Sequence, residues 1–301
     1  CDKEGGLVMD YPYYPGCTLK TTGKKDEEAA LEVAKLLGFE LKELPTWTCC
    51  GVVYNLTSDV MADHLSATRT LIRAQEMGRE LNTNKLVTLC SMCYNVLKQV
   101  NLMYKNNPDK LKNINLFLDN EEDYLGNIEV MHFLEVIYRD IGPEKIKERV
   151  KTSLKNLKVD PYYGCMLLRP KTIAFDDQDS PHIMGDILSA LGATVIENPM
   201  TVECCGAHQI ITNKGAVLDC VERIVSISQK KGADVIVTPC PLCQYNLTTA
   251  QKTLFEKGKI NRKTPVIYLS ELMKISLTES GQDYLKDYNF IKDKLDERGG
   301  L

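Results

Sequence analysis

Ten of the twelve cysteines in this 301-residue chain fall into two sets of five with the same order and similar spacing. Each set has a single cysteine, then an adjacent pair followed by glycine, then a C-x-x-C pair. The first set is Cys17, Cys49, Cys50, Cys90 and Cys93, and the second is Cys165, Cys204, Cys205, Cys240 and Cys243. A thiol is the common side chain that both binds soft metals and carries redox chemistry. Two matched sets therefore predict two matched metal clusters.

Five thiols exceed what either common four-ligand site requires. A structural zinc site takes four ligands, usually as two C-x-x-C pairs, and a cubane iron–sulfur cluster takes four cysteines. Adjacent cysteines reach or bridge neighbouring metal atoms more easily than they both bind one tetrahedral ion. Either one cysteine in each set is free, or the cluster is larger or less regular than a cubane. Zinc in one or both sites and a thioredoxin-like redox pair are the other interpretations.

The repetition extends beyond the cysteines to the segments around them. YYPGC at 13–17 matches YYGC at 162–165, and KLVTLCSMCYNVL at 85–97 matches ADVIVTPCPLCQYNL at 233–247. Equivalent cysteines are separated by 148 (165 − 17) to 155 (204 − 49) positions. So narrow a spread means that the two halves differ by a few loop residues, as after a gene duplication.

The elements that must position these thiols alternate between strand and helix in each half. Asp26–Leu37 has apolar residues on one helical face, and Gly38 stands where a helix stop belongs. Ser58–Leu81 is predicted as a long helix with Ser58 as its cap. Short strands are predicted at Phe39–Leu44, Lys85–Leu89, Ala193–Glu197 and Ala233–Thr238.

This order predicts an α/β fold of two pseudo-twofold-related modules, each a mainly parallel sheet flanked by helices. Every cysteine element follows a strand and precedes a helix, so the cysteine motifs should gather at the carboxyl ends of the strands. Helix N-termini there offer N–H donors to anionic sulfur. Gly51 and Gly206 would let the backbone approach a bulky cluster. We predict modules at 1–150 and 151–301, the second ending in a charged helical tail, either a docking helix for a partner or a solvated terminal helix.

Bulk properties exclude several classes of protein. The net charge is −4, and acidic and basic residues are mixed along the chain, so the sequence shows no basic patch that would bind nucleic acid. No apolar run approaches the ~20 residues of a membrane span, and no signal peptide is visible. We therefore expect a cytoplasmic protein whose thiols stay reduced for metal binding or catalysis.

The doubled motif resembles the cysteine-rich CCG family and, within it, the B subunit of heterodisulfide reductase. The resemblance covers about residues 11–275 and rests on C-x31-C-C-G…C-x-x-C in the first half and C-x38-C-C-G…C-x-x-C in the second. It implies that each set of five cysteines holds one noncubane [4Fe–4S] cluster. It also implies reduction of a disulfide between the two clusters, with electrons from a ferredoxin-like [4Fe–4S] subunit and a flavin-containing subunit.

Two other functions remain open at this point. An electron-transfer subunit of a lactate- or glycolate-oxidising complex is one, although no ferredoxin signature is present. A structural or quinone-linked scaffold that holds zinc in the cysteine sites is the other. The identity of the disulfide, a small molecule or a protein, does not follow from the sequence.

Several further residues have a functional and a structural interpretation. His208 lies three residues after Cys205, close enough to orient a ligand or to give a proton to a departing thiolate. His132 and its repeat partner Tyr268 are expected near the cluster end or in the core, and Glu135 and Glu271 in caps or charge pairs. Candidates to bind an anionic substrate tail are Lys20, Lys24 and Arg169, for which ordinary surface charge is the alternative. Two cysteines lie outside the motif: Cys220, a small hydrophobe, and Cys1, a terminal residue.

Overall fold

Two four-stranded, wholly parallel sheets form the frame of the protein. The computed structural model describes residues 9–52, 54, 60–279 and 285–296. If the strands of each module are numbered along the chain, their order across the sheet is second, first, third and fourth in both modules. The two modules are therefore the same α/β unit, which confirms the predicted fold class. The boundary at residue 150 stays a prediction.

Within its described residues, the first module contains four strands and seven helices, with a 3-10 turn before the third helix and a π-helical turn after the sixth. Its helices lie between successive strands, as parallel pairing requires. The elements are β1 (Met9–Tyr14), α1 (Gly16–Leu19), α2 (Lys24–Leu37), β2 (Phe39–Glu43), α3 (Leu65–Glu80), β3 (Lys85–Thr88), α4 (Ser91–Asn106), α5 (Pro108–Phe117), β4 (Glu129–His132), α6 (Phe133–Val136) and α7 (Pro143–Glu148).

The second module repeats the order with fewer helices between its strands. Its elements are β5 (Lys158–Pro161), α8 (Ile183–Ala190), β6 (Thr194–Val195), α9 (Lys214–Lys230), β7 (Val235–Thr238), α10 (Pro241–Glu256), β8 (Val266–Tyr268), α11 (Leu269–Leu277) and α12 (Asn289–Asp296). The helix α5 of the first module lies between α4 and β4, where the second module has only a loop between α10 and β8.

The central strands are buried on both faces because helices cover both sides of each sheet. All four residues of β7 are buried, and Leu86, Val87 and Thr88 of β3 are buried as well. Such strands are continuous apolar runs rather than alternating ones, as the sequence predicted. One residue separates the end of each strand from its C-x-x-C motif. The packing of the sheet therefore determines the position of these cysteines.

Two helix predictions differ in their success. The helix α2 ends at Leu37, and Gly38 adopts the left-handed conformation (φ +91°) that closes it, as expected. The predicted helix at Ser58–Leu81 is shorter, because a 3-10 turn at Met61–His64 precedes α3 and the α-helix begins only at Leu65. Ser58, its predicted cap, lies outside the described residues.

The two modules share one hydrophobic core. The helix α11 of the second module packs along α2 of the first, and the hydroxyl of Ser270 donates to the carbonyl of Asp26 at 2.8 Å. A second contact joins the two C-x-x-C segments, where the hydroxyl of Ser91 donates to the carbonyl of Pro239 at 3.4 Å. The carboxyl ends of both sheets therefore face a common seam.

The C-terminal tail packs against the body of the protein. Leu285, Ile291 and Leu295 are buried in the shared core. The described part of the tail is a terminal helix that packs its apolar side within the chain and exposes polar residues such as Lys292 and Asp293. Docking of a partner stays a prediction. In the described part of the chain, the helices are too short or too polar to cross a bilayer.

Candidate metal centre

All ten motif cysteines lie where strands give way to helices. Cys17 follows β1 in the short helix α1, and Cys90 and Cys240 are the N-terminal caps of α4 and α10. Backbone N–H groups in the first turns of these two helices donate to the sulfur atoms of Cys90 and Cys240. Such donors stabilise negative charge on sulfur. The structure thus brings the cysteines of each set together at the predicted end of its sheet.

The sulfur atoms of the first set form a row of neighbouring contacts. Cys49 interacts with Cys17 on one side and with Cys50 on the other, and the row continues from Cys50 through Cys93 to Cys90. The hydrogen bond from Cys93 is the main reason that the pKa of Cys50 falls to about 7, against the opposing effect of burial. Cys17 and Cys49 are exposed, whereas Cys50, Cys90 and Cys93 are buried. The row therefore runs from the surface into the protein.

The second set repeats these contacts with one gap. The sulfur atoms of Cys205 and Cys243 are 3.4 Å apart, and Cys243 also contacts Cys240. Cys204 pairs with Cys165. The hydrogen bond from Cys165 is the largest cause of the lowered pKa of Cys204, about 6, and the N–H of Gly206 contributes to it. These contacts are pairwise: among the described residues no three His, Cys, Asp or Glu side chains form a group that could hold a metal ion.

The two sets meet at the seam between the modules. Cys90 of the first set and Cys240 of the second lie within hydrogen-bonding reach of each other, and both are buried. This hydrogen bond is the largest cause of the raised pKa of Cys90. The two sets of thiols therefore adjoin at the seam rather than forming two distant sites, and together they are called the sulfur surface.

Two glycines bring the backbone against this sulfur. Gly16 and Gly164 precede the first cysteine of each set and have positive φ angles of +71° and +68°. A Cβ atom at Gly16 would lie 2.9 Å from the sulfur of Cys93, and one at Gly164 would lie 3.1 Å from the sulfur of Cys243. The sequence predicted close approach at Gly51 and Gly206 instead, where a Cβ would meet no sulfur atom of the protein. The repeated GC dipeptide is the signal in the sequence that could have found the other two.

A pair of tyrosines outside the predicted site residues holds the two CCG loops. The hydroxyl of Tyr14 donates to the carbonyl of Thr48 at 2.8 Å, and that of Tyr162 donates to the carbonyl of Glu203 at 2.6 Å. Each carbonyl belongs to the residue just before the adjacent cysteine pair. Burial, followed by the charges of the surrounding thiols, raises the pKa of both phenols. Each YY segment therefore holds the adjacent cysteine pair close to the first cysteine of its set.

Removing either hydroxyl should loosen one CCG loop. We expect Tyr14→Phe and Tyr162→Phe each to lower the free energy of unfolding by about 1–2 kcal/mol, since one carbonyl loses its donor. Each variant should also lose metal from one site faster during exposure to a chelator. Tyr104→Phe is the matched control, because the Tyr104 hydroxyl bonds Thr68 in the same module away from the cysteines. Equal metal retention in all three variants would contradict this role.

The seam next to Cys90 is closed by the predicted pair His132 and Tyr268. The Nε2 atom of His132 is 3.0 Å from the carbonyl oxygen of Leu89, and the hydroxyl of Tyr268 donates to the same carbonyl. Burial lowers the pKa of His132 to about 4, so the ring is neutral at pH 7. Both side chains bind the residue before Cys90 and so connect the carboxyl ends of β4 and β8 to the sulfur surface.

The remaining predicted residues divide into three groups. His208 is exposed and hydrogen-bonds the sulfur of Cys204, so it lies at the second set. Lys20 is paired with Glu27 at 2.8 Å and with Glu43 at 2.6 Å, as the alternative of ordinary surface charge predicts, and its role in substrate binding stays a prediction. Lys24 and Arg169 are exposed, and their role in substrate binding stays a prediction. Cys220 is half-buried in α9, outside the row of sulfur contacts, and Cys1 lies outside the described residues.

The donor set fits an iron–sulfur cluster in each module. Thiolates are the ligands that such clusters take, and the N–H donors at α4 and α10 match the negative charge of a cluster with its thiolates. The close approach of Gly16 and Gly164 leaves the sulfur surface free of side chains on that side. The role of each cysteine as a ligand stays a prediction.

Comparison with known proteins agrees with this geometry. A model of the cysteine-rich CCG domain matches residues 11–98 and 159–248, which include all ten motif cysteines. The chain is 30% identical over 287 residues to the 8-methylmenaquinol:fumarate reductase membrane anchor subunit of Wolinella succinogenes, covering 95% of this chain and 98% of that one. It is 28% identical over 284 residues to the B subunit of the ferredoxin/F420H2-dependent CoB-CoM heterodisulfide reductase of Methanosarcina acetivorans, covering 93% of each.

A solved structure shares the fold without close sequence similarity. The crystal structure of a hypothetical protein from Helicobacter pylori superposes with a TM-score of 0.68 at 12% identity, covering 93% of this chain. This chain spans 51% of the length of that one. With the repeated cysteine sets, the matched domain model and the relatives named for the B subunit of heterodisulfide reductase, this chain belongs to the family of tandem cysteine-rich CCG domain proteins.

Proposed function

We propose that this protein is the iron–sulfur subunit of a larger electron-transfer complex and reduces a disulfide between two noncubane [4Fe–4S] clusters. The ten motif cysteines would be the ligands, five for each cluster. The complex would include a ferredoxin-like [4Fe–4S] subunit and a flavin-containing subunit as electron donors. A cytoplasmic location is part of the proposal.

One observation carries the proposal: the C-x-x-C segments of the two sets lie against each other at the seam, where Ser91 donates to Pro239 and the buried thiols of Cys90 and Cys240 interact. Cleavage of a disulfide takes two electrons. Two clusters that pass one electron each would supply them together only if the clusters adjoin. The contact between the last pairs of the two sets is the arrangement that this reaction needs.

The residues around the seam would orient the substrate and exclude water. The exposed cysteines Cys17 and Cys49 mark the side that faces solvent, and the buried pair Cys90 and Cys240 marks the inner end. Leu89, the residue before Cys90, and Tyr268, whose hydroxyl donates to the carbonyl of Leu89, are buried at this inner end. A disulfide that enters from the exposed side would meet sulfur from both modules.

Disulfide reduction can be tested directly on the anaerobically purified protein. Reduced methyl viologen would serve as the artificial electron donor, and hydroxyethyl disulfide and a mixed disulfide of two small thiols would serve as probes. We expect oxidation of the viologen to release two thiols for every two electrons consumed. Viologen oxidation without thiol release from any disulfide would contradict the proposed reaction.

A second candidate function is electron transfer without disulfide chemistry. The observation that favours it is the 30% identity, over 95% of this chain, to the fumarate reductase membrane anchor subunit. A protein of this kind would accept electrons from a quinol instead of reducing a disulfide. Reduction of the clusters by a menaquinol analogue, with no thiol released in the disulfide assay, would favour it. The lactate- or glycolate-type complex would instead require reduction by a hydroxyacid dehydrogenase.

A further inference from the structure

A buried pair of carboxyl groups lies at the interface of the two modules. Asp26 in the first turn of α2 and Glu271 in the first turn of α11 are 3% and 1% exposed. Their side chains hydrogen-bond each other, and the amide of Gln244 contacts both. The backbone N–H of Tyr268 donates to Glu271 at 3.3 Å. Neither residue of this pair belongs to the cysteine motifs.

Two buried carboxyl groups in hydrogen-bonding contact cannot both be ionised, because like charges at this distance repel strongly without solvent. The pair therefore holds a proton at neutral pH. Burial and then the charge of Glu271 raise the pKa of Asp26 to about 8. Lys20, which follows α1, is paired with Glu27 and Glu43. The other titratable groups that interact with Asp26 are Cys240, at the N-terminus of α10, and Tyr268 of β8.

A cavity connects the pair to solvent. It has a volume of about 260 Å³ and lies between the segment after α1 and the outer face of α10. Asp26 and Gln244 line it together with three hydroxyl side chains, Thr22, Thr248 and Thr249. Polar walls of this kind hold water, which would return a proton to the pair after each turnover.

On its inner side, the pair approaches the seam of sulfur atoms. The charge of Cys240 acts on Asp26 and raises its pKa further. Burial and then the charges of Asp26, Cys90 and Cys240 raise the pKa of Tyr268, so this phenol lies near both the carboxyl pair and the sulfur atoms. Its hydroxyl reaches the carbonyl of Leu89, next to Cys90. The carboxyl pair thus contacts the solvent cavity through Asp26 and the backbone of Tyr268 through Glu271.

The module-related position is built differently. Glu135 is the counterpart of Glu271 in the repeat, but Arg139 lies 2.5 Å and Lys98 3.7 Å from its carboxylate. Tyr94 stands where α10 has Gln244, and its hydroxyl donates to the carbonyl of Ile173 at 2.5 Å. Burial raises the pKa of Glu135, but its two ion-pair partners are cations rather than a second carboxyl group. The pseudo-twofold is therefore broken at this position, where one module-related site has two carboxyl groups in contact and the other has a carboxyl group with two cations.

We propose that the Asp26–Glu271 pair is a proton relay that delivers a proton from the solvent cavity to the sulfur seam. The inference rests on the proposed function. Reduction of a disulfide R–S–S–R′ breaks the S–S bond, consumes two electrons from the donor protein, and takes up two protons to give RSH and R′SH. The pair would supply one of these protons and regain it from water. The other would come from solvent at the exposed side of the seam.

Asp26→Asn tests the relay, since the amide has the shape of the protonated acid but no proton to give. With reduced methyl viologen and hydroxyethyl disulfide, we expect kcat at pH 7 to fall about 10²-fold, the usual size for a lost proton donor. Wild-type activity should decline as the pH rises through about 8, where Asp26 loses its proton, and Asp26→Asn should lack this decline. In Glu271→Gln the decline should move to lower pH, because the like charge is gone.

An infrared measurement provides a readout that does not depend on turnover. The C=O band of a protonated carboxylic acid, shifted in D2O, should be present in the wild-type protein and weaker by one carboxyl group in Asp26→Asn. Asp160→Asn is the matched control, because Asp160 is also fully buried but bonds Asn198 within the second module. This control should keep both the wild-type rate and its pH profile.

The outcomes separate this inference from the function on which it rests. A wild-type rate and pH profile in Asp26→Asn, with thiol released normally, would overturn the relay and leave disulfide reduction intact. Loss of iron or a lower melting temperature in Asp26→Asn would also overturn it, since a structural role would then explain the lower rate. Failure of the wild-type protein to release thiol would refute both proposals.

Discussion

Replacement of Cys49 or Cys204 with alanine is expected to abolish disulfide reduction while removing only about half of the iron. Each residue is the first of an adjacent pair and contacts the first cysteine of its set. Without it, one module should lose its cluster and the other should keep one. Because the reaction needs two electrons at one place, the activity should fall on the order of 10⁴-fold, as when one member of a group that acts as a unit is removed.

The effects of the two replacements should not be additive. The double variant Cys49→Ala/Cys204→Ala should have no less activity than either single variant, although it should contain almost no iron. Cys220→Ala is the matched control, since this half-buried cysteine lies outside both sets. A single-site variant that keeps a tenth or more of the wild-type rate would contradict a mechanism that uses both clusters together.

The second large effect is expected at the glycines that touch sulfur. Gly16→Ala and Gly164→Ala each place a Cβ atom closer to a cysteine sulfur than van der Waals contact allows, at 2.9 Å and 3.1 Å. The left-handed backbone costs roughly 1–2 kcal/mol for any residue with a Cβ. Crowding against Cys93 or Cys243 should add about 1–3 kcal/mol and displace the sulfur. Each variant should therefore lose stability and one cluster.

Gly258→Ala isolates the contribution of the sulfur contact. Gly258 has nearly the same backbone angle, φ +66°, but its added Cβ would meet nothing within 4 Å. Denaturant unfolding and iron analysis of the three variants would separate backbone strain from crowding. If Gly258→Ala loses as much stability as Gly164→Ala and all three keep their iron, the glycines do not shape the sulfur surface.

Much of the fold could be predicted because the repeat appears twice and its signals are local. Buried runs such as Val235–Thr238 predict parallel strands without reference to distant residues. The strand order and the gathering of the cysteines at one end then follow from general rules for α/β proteins. The start of α3 could not be predicted, because a 3-10 turn and an α-helical turn differ little in sequence pattern.

The sequence was enough to select the cysteines of the site, but not to predict which of them contact each other. The cysteines could be selected by type and spacing, whereas the meeting of Cys90 with Cys240 depends on how two modules pack. The partners of Lys20, which are Glu27 and Glu43, became known only from the structure. The pairing of Asp26 with Glu271 joins residues 245 positions apart (271 − 26), and no periodicity signals a contact of that kind.

The central claim is that each set of five cysteines holds an iron–sulfur cluster. Iron, zinc and acid-labile sulfide should be measured per chain in the anaerobically purified protein. We expect about eight irons and eight sulfides, four of each for every [4Fe–4S] cluster, and no zinc. Zinc in place of iron, or about four irons in a protein with all ten cysteines intact, would contradict it.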